Sequence, residues 1–261
     1  MKWIDVDGAS LRYDLGGSGA ETVVLVHEMG GMLESWDDTV PALQRHFRTL
    51  RYDQRGFGLS EKPRGALLLD DMVGDVLRLV DALQIAGRFH VIGAALGASI
   101  AMAVAARHPE RVARLVVSSP VTGATAARKA VQEERARAVQ RDGMRARVEQ
   151  TLESSYPASL RGDAARFEMF RCRWLANDPH CYAAMDAMRA QMDLVPELAR
   201  IQCPTLVLAG TRDTQRPPEA MKAIARAIPC ARYAEIDSGH FMAVQTPELY
   251  LDQVLPFLLE P

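Results

Sequence analysis

The chain is poor in the features that mark redox, metal, nucleic-acid and membrane proteins. Its four cysteines, Cys172, Cys181, Cys203 and Cys230, form no C-x-x-C pair, and no histidine stands at metal-ligand spacing. Free thiols in a cytoplasmic protein are the expectation, and a disulfide framework is not. Charge of one sign is also missing: 31 Lys and Arg stand against 33 Asp and Glu, for a net −2. That balance makes no electrostatic case for nucleic acid or an anionic membrane. No stretch approaches the roughly 18 uninterrupted apolar residues of a membrane span. The opening "MKWIDVDGASLRYDLGG" runs straight into alternating sequence without the apolar core of a signal peptide. Repeats and low-complexity segments are absent too. A small-molecule substrate is the expected partner, and a homo-oligomer is left open.

What is present is the profile of a globular α/β protein. At 261 residues, 48% hydrophobic and 25% charged, the chain can bury a substantial core. "WIDVDG" and "LRYDLGG" read as an antiparallel hairpin. "ETVVLVHEMGG", "RFHVIGA", "VARLVVSSP" and "PTLVLAG" read as strands buried on both faces. "RTLRYDQRGFGLSE" reads as a strand ending in a glycine-rich loop, and "ARYAEIDS" as the last strand. Helical spacing is expected in "SWDDTVPALQRHF", with Ser35 as N-cap, and from about Leu67 to Ile85. It recurs in "LGASIAMAVAARH", stopped by Pro109, in "PPEAMKAIARAI" and in "TPELYLDQVLPFLL". Between about 121 and 200 no strand candidate occurs. This stretch carries thirteen Lys and Arg against eleven Asp and Glu.

Alternating strands and helices imply a mostly parallel sheet with helices on both faces. The division expected is a core from 1–120 and 201–261, with 121–200 as a helical cap over the carboxyl ends of the strands, where such sheets bind ligands.

Three strand-end loops carry reactive residue types. In "VIGAALGAS", Gly93, Ala95 and Gly97 keep the spacing of G-x-S-x-G, the sharp strand-to-helix turn that presents a serine hydroxyl. Here the central residue is Ala95, whose methyl group can neither attack a carbonyl nor release a proton. Asp213 in "LAGTRDTQRPP" follows a buried strand and could orient an imidazole. His240 in "IDSGHFMAVQTPE" follows the final strand and could shuttle a proton. Taken singly, such an Asp is more often a turn former and such a His a packed residue. Three loops in the right order at the right ends of three strands are much harder to obtain by accident.

Carried by "VLVHEMGG", "DQRGFGLSE", "VIGAALGA", "PTLVLAGTRD" and "SGHFMAVQTPE" in order, the chain resembles the α/β-hydrolase superfamily over nearly its whole length. Through "GGMLESWDDTVPAL" and "DPHCYAAMDAMRAQMDLVPELARIQCPTLVLAG" it is most similar to the β-ketoadipate enol-lactone hydrolases and related small ester, lactone or carbon–carbon hydrolases. Two positions depart from the pattern: Glu28 stands where glycine is common, and Ala95 where serine is.

The resemblance implies the α/β-hydrolase fold with a helical cap insert and a Ser-His-Asp acyl-enzyme mechanism that uses no metal or organic cofactor. The catalytic positions would be Ala95 in the nucleophile's place, Asp213 and His240, with an oxyanion hole from the amides of Met29 and Leu96. Glu28 is expected to point away from that hole. Candidate substrate-binding residues are His27, Arg128, Arg135, Tyr156, Arg171, Trp174 and Phe241, with Arg173 beside them. Arginine suits a carboxylate because guanidinium offers a fork of donors. His27 is expected first to pin its loop, with a direct role as the lesser alternative, and Tyr156 and Trp174 could simply pack the cap.

Ser99, one turn beyond the elbow, is expected to be buried and so not a substitute nucleophile. The economical reading of Ala95 is a serine hydrolase with serine replaced, holding its ligand without turnover. A nucleophile-free pseudoenzyme or receptor, and a catalyst using His240 and Asp213 as a base alone, remain open. So does the bond cleaved: C–O, C–N or C–C.

Overall fold

A computed structural model describes residues 2–123 and 125–260. They form one eight-stranded sheet in the order β1-β2-β4-β3-β5-β6-β7-β8. The strands are β1 (Lys2–Val6), β2 (Ala9–Gly16), β3 (Thr22–Val26), β4 (Arg48–Tyr52), β5 (Phe89–Ala94), β6 (Val112–Ser118), β7 (Thr205–Gly210) and β8 (Ala231–Ile236). β1 and β2 form the antiparallel hairpin, β2 joins β4 antiparallel, and every later pairing is parallel. Each residue of β3, β5 and β7 is buried, as their unbroken apolar sequence requires of strands covered on both faces.

The helices are α1 (Val40–Leu43), α2 (Leu69–Ala82), α3 (Leu96–Arg107), α4 (Ala126–Asp142), α5 (Arg145–Ser155), α6 (Ala164–Leu175), α7 (Pro179–Gln191), α8 (Pro218–Ala227), α9 (Met242–Gln245) and α10 (Pro247–Leu259). Two apolar cores flank the sheet. One holds α2 and α3 against β1, β3 and β5; the other gathers Trp36, Phe47, Tyr250 and Phe257 on the opposite face. α2 buries Met72, Val73, Val76, Leu79 and Val80, a stripe at three- and four-residue spacing. Pro109 stands two residues beyond the end of α3. The four cysteines are free. Among the described residues, no helix is long and apolar enough to cross a membrane.

One expected helix is broken. Over "SWDDTVPALQRHF" there is only a 3-10 turn at Leu33–Trp36 and the single turn of α1. Pro41 lies in α1, where its missing N–H is tolerated only near a helix start. Ser35 accepts from the Met32 amide at 3.4 Å and donates to Glu28 Oε1 at 2.8 Å. It ties this turn to the loop after β3 and caps no long helix.

The pairings bring the functional loops together. Val26 stands opposite Gly93, Ala94 opposite Ser118, and Gly210 opposite Ile236, so residues 27–31, 95, 119, 211–216 and 237–241 all leave the sheet at the carboxyl ends of its parallel strands. β3 lies between β4 and β5, where the strand order reverses, the place at which such sheets bind ligands. Helices α4 to α7 occupy the chain between β6 and β7, and a bridge between Gly123 and Asp193 joins the start and end of that excursion.

α3 runs close behind β3. A Cβ placed on Gly97 would collide with the carbonyl oxygens of Val26 and His27, which are backbone and cannot swing aside. Gly97→Ala should therefore destabilise the fold by about 1–3 kcal/mol, as overpacking does, which chemical denaturation would measure.

Candidate active site

The elbow between β5 and α3 holds Ala95 at φ 50°, ψ −110°. For a residue with a Cβ such backbone costs on the order of 1–3 kcal/mol and persists only when its surroundings enforce it. They do so here. The Ala95 amide donates to the Ser118 carbonyl at 2.8 Å. A Cβ on Gly93 would lie 2.5 Å from Ala98 Cα and 2.6 Å from its nitrogen, so only glycine lets helix and strand meet this closely. Ser99 is fully buried, with its hydroxyl donating to the Val121 carbonyl at 2.6 Å and accepting from the Val121 amide at 3.0 Å. It has no route to a substrate.

Asp213 and His240 meet at the neighbouring strand ends. His240 Nδ1 lies 2.8 Å from Asp213 Oδ2, and the same oxygen accepts from the Ser119 hydroxyl at 2.8 Å. Asp213 Oδ1 accepts from the amides of Gln215 and Arg216, each at 2.9 Å. Burial pushes this carboxyl up, but the positive charge of His240, its hydrogen bond, the Arg216 amide and Ser119 together hold it below the ordinary carboxylate value. An ionised Asp213 accepts from Nδ1–H, so the neutral ring keeps its lone pair on Nε2, the nitrogen suited to act as a base.

The loop after β3 is held from below. His27 is fully buried; its Nε2 accepts from the Gln54 amide at 3.0 Å, and its Nδ1 lies 2.7 Å from the Glu28 carbonyl. Both ring nitrogens are thus taken up by the scaffold, and His27 does not line the cavity. The substrate-binding expectation for it is corrected: it pins the loop. Glu28 is buried and turned to Ser35, away from Ala95. Met29 and Leu96 both face the space beside Ala95. The Leu96 amide is the first N–H of α3, which has no carbonyl one turn earlier in the helix to bond.

A cavity of about 80 Å³ over Ala95 is lined by Met29, Leu96, His240, Phe241, Trp174 and Tyr182 together with arginines from the inserted helices. Of the expected substrate-binding residues, Arg135, Trp174 and Phe241 line it. Tyr156 does not. It is buried edge-on between Phe167 and Phe170, with ring centroids 5.1 and 5.6 Å away, and packs the insert together. Arg171 is also corrected, because it pairs with Glu149 at 2.7 Å and Glu168 at 3.3 Å on the outer surface. Arg173 reaches the Glu34 carbonyl at 3.1 Å instead of the cavity. The side chain of Arg128 lies outside the described residues. Trp174 packs against Gly30, whose φ is +84° and whose missing Cβ would stand 2.6 Å from the indole.

Residues 17–238 match the hydrolase family described as serine aminopeptidase, S33. The chain belongs to this family of α/β-hydrolases. Two solved structures similar to this hydrolase superpose over nearly its full length. The enol-lactonase of Burkholderia xenovorans LB400 has a TM-score of 0.93 at 32% identity, covering 99% of this chain and 100% of that one. A hydrolase from Pseudomonas aeruginosa PA01 has a TM-score of 0.92 at 35% identity, covering 99% and 98%. By sequence, a relative from Yersinia enterocolitica, provisionally named carbamate hydrolase RutD, is 32% identical over 92% of this chain and 88% of its own.

The hydrolase also brings residues to its cavity that the sequence did not single out: Arg147 and Thr151 of α5, Tyr182 and Arg189 of α7, and Gln215 and Arg216 after β7. A signal existed for some of them. Arg147 sits between the buried Met144 and Val148, and Arg189 continues a largely buried line of Tyr182, Met185 and Asp186. Charged groups on a face turned inward call for a partner. Ser119 carries no such mark beyond its place at the end of β6.

A carboxyl held below its ordinary value adds stability that is complete above the unfolded pKa of about 3.9. That stability is lost as pH falls through the lower folded value. Asp213→Asn should therefore show a shallower loss of stability on acidification from pH 7 to pH 3, read by chemical denaturation at each pH. Ser119→Ala, which deletes a bond to a charged group, should cost about 1.5–3 kcal/mol at pH 7 and less at pH 3.

Proposed function

We propose that the cavity takes a small ester or enol-lactone that carries a carboxylate, and that a serine at position 95 would cleave it through an acyl-enzyme. The observation that supports this most directly is the convergence of Ala95, an Asp213-held His240 and the Met29 and Leu96 residues on one cavity walled by arginine. In that reaction the serine hydroxyl attacks the carbonyl carbon while His240 Nε2 takes its proton. The new oxyanion faces the amides of Met29 and Leu96, donors worth about 3–4 kcal/mol each in related sites. The C–O bond then breaks, His240 returns the proton to the leaving oxygen, and a water activated by the same imidazole releases the acid. Arg147, Arg135 and Arg189 supply N–H donors for the substrate's own carboxylate. The route calls on no metal or organic cofactor.

With Ala95 this chain lacks the attacking oxygen, and we infer that it holds such a ligand without covalent turnover. The similarity to an enol-lactonase at 32% identity favours the lactone; the relative named for carbamates keeps C–N bonds within the range to be tried. The methyl of Ala95 favours one second reading, in which the His240–Asp213 pair works alone as a base.

Ala95→Ser protein should hydrolyse enol-lactones or small carboxylated esters roughly a millionfold faster than the chain as it stands. Steady-state assays over lactones, esters, amides and β-diketones check this. No gain on any of them overturns the proposal. Cleavage of β-diketones alone moves it to carbon–carbon hydrolysis. Equal, substantial turnover with alanine and with serine selects the base-only reading.

A further inference from the structure

The arginines of the cavity wall exceed what a single carboxylate requires. Arg135 on α4, Arg147 on α5 and Arg189 on α7 line both the cavity over Ala95 and an adjoining outer cavity of about 510 Å³, as does Arg216 after β7, whose Nη1 donates to the Gln215 carbonyl at 2.8 Å. No Asp or Glu lines either space. Arg189 is paired with Asp186, its Nε lying 3.0 Å from Oδ1. Among the described residues, Arg135 and Arg147 form no ion pair. Arg147 is only 8% exposed, its Nε and Nη1 have no hydrogen-bond partner, and its Nη2 makes one long contact to Thr151 Oγ1 at 3.4 Å. Burial, with Arg135 and Arg189 adding to it, pulls its pKa below the ordinary guanidinium value, yet a guanidinium remains charged at neutral pH. A buried cation with unanswered N–H groups and like-charged neighbours is a site awaiting an anion.

The charge balance sets the size of that anion. Asp186 answers Arg189, whereas Arg135 and Arg147 have no carboxylate partner among the described residues, so two guanidinium charges on the inserted helices are unanswered by an ion pair. Building on the carboxylate-binding reading above, we propose that the junction of the two cavities binds a dianionic group, either a pair of neighbouring carboxylates or one phosphate monoester. The cavity over Ala95 is about 80 Å³ against about 510 Å³ for the outer one, so the smaller end of a ligand belongs over Ala95. The substrate therefore places a small reactive carbonyl over Ala95, its doubly charged group between α4, α5 and α7, and any remaining part in the outer cavity.

The chain as it stands suits the test, because Ala95 cannot form an acyl-enzyme. Isothermal titration at pH 7.5 compares propionate, succinate, methylmalonate and inorganic phosphate at two salt concentrations. At least one dianion should bind about tenfold or more tightly than propionate. That preference should weaken with salt and fall to about twofold or less in Arg147→Gln. Arg135→Gln, a change at a half-buried position, should reduce it as well and keeps the test open if Arg147→Gln does not fold. Tighter binding of a dicarboxylate or of phosphate identifies the source of the charge. Dianions no tighter than propionate, or a preference unchanged in the folded variants, overturn the inference. The two proposals fail separately. If Ala95→Ser cleaves a monocarboxylated lactone while dianions show no preference, the hydrolase reading stands and this one falls. If dianions bind but no substrate is cleaved, the reverse holds.

Discussion

The close approach of α3 to β3 is the constraint on which the site rests. Because Gly97 has no side chain, the helix backbone lies directly against the carbonyls of Val26 and His27. Because Gly93 has none, the strand can turn at once into that helix. Residue 95 is left at the apex with a positive φ, and the first amide of the helix opens beside it. Move the helix outward by the width of a methyl group and the Leu96 amide no longer faces the same space as Met29. The strain at Ala95 is borne by packing on both faces of the sheet, which is why this turn sits at the centre of the fold and not at an edge.

Around that apex the electrostatics are divided. Asp213 lies deep, held ionised by His240, Ser119 and two backbone amides, and its negative charge is spent on orienting the ring. Arg135, Arg147 and Arg189 are carried by the inserted helices and line both cavities. A negative group therefore feels attraction from the insert and is kept from the carboxylate by the imidazole between them. Burying Arg147 with no hydrogen-bond partner for Nε and Nη1 costs stability.

The insert shares an apolar core with the sheet, and several of its polar and aromatic contacts reach the loops of the site. Asn177 donates to the Gly30 carbonyl at 2.8 Å, Trp174 stacks on Gly30, and the His240 amide donates to the Ser155 carbonyl at 3.2 Å. Each of these contacts touches a loop that carries a site residue or its support. The position of the helices and the geometry over Ala95 are thus coupled through the same atoms.

By itself the sequence determined the alternation of strands and helices, the elbow spacing and the order of position 95, Asp213 and His240. Apolar periodicity and glycine placement are local signals, and local sterics enforce them. It misread the stretch from Ser35 to Phe47, where helical spacing was overridden by Pro41 and by the pull of Glu28 on Ser35. Choosing among the arginines was also beyond it. Arg171 and Arg147 look alike in the chain, yet one meets Glu149 on the surface and the other is turned inward between α4 and α7. Only the tertiary structure decided which cations face the cavity, because burial and the absence of a partner depend on elements far apart in the chain.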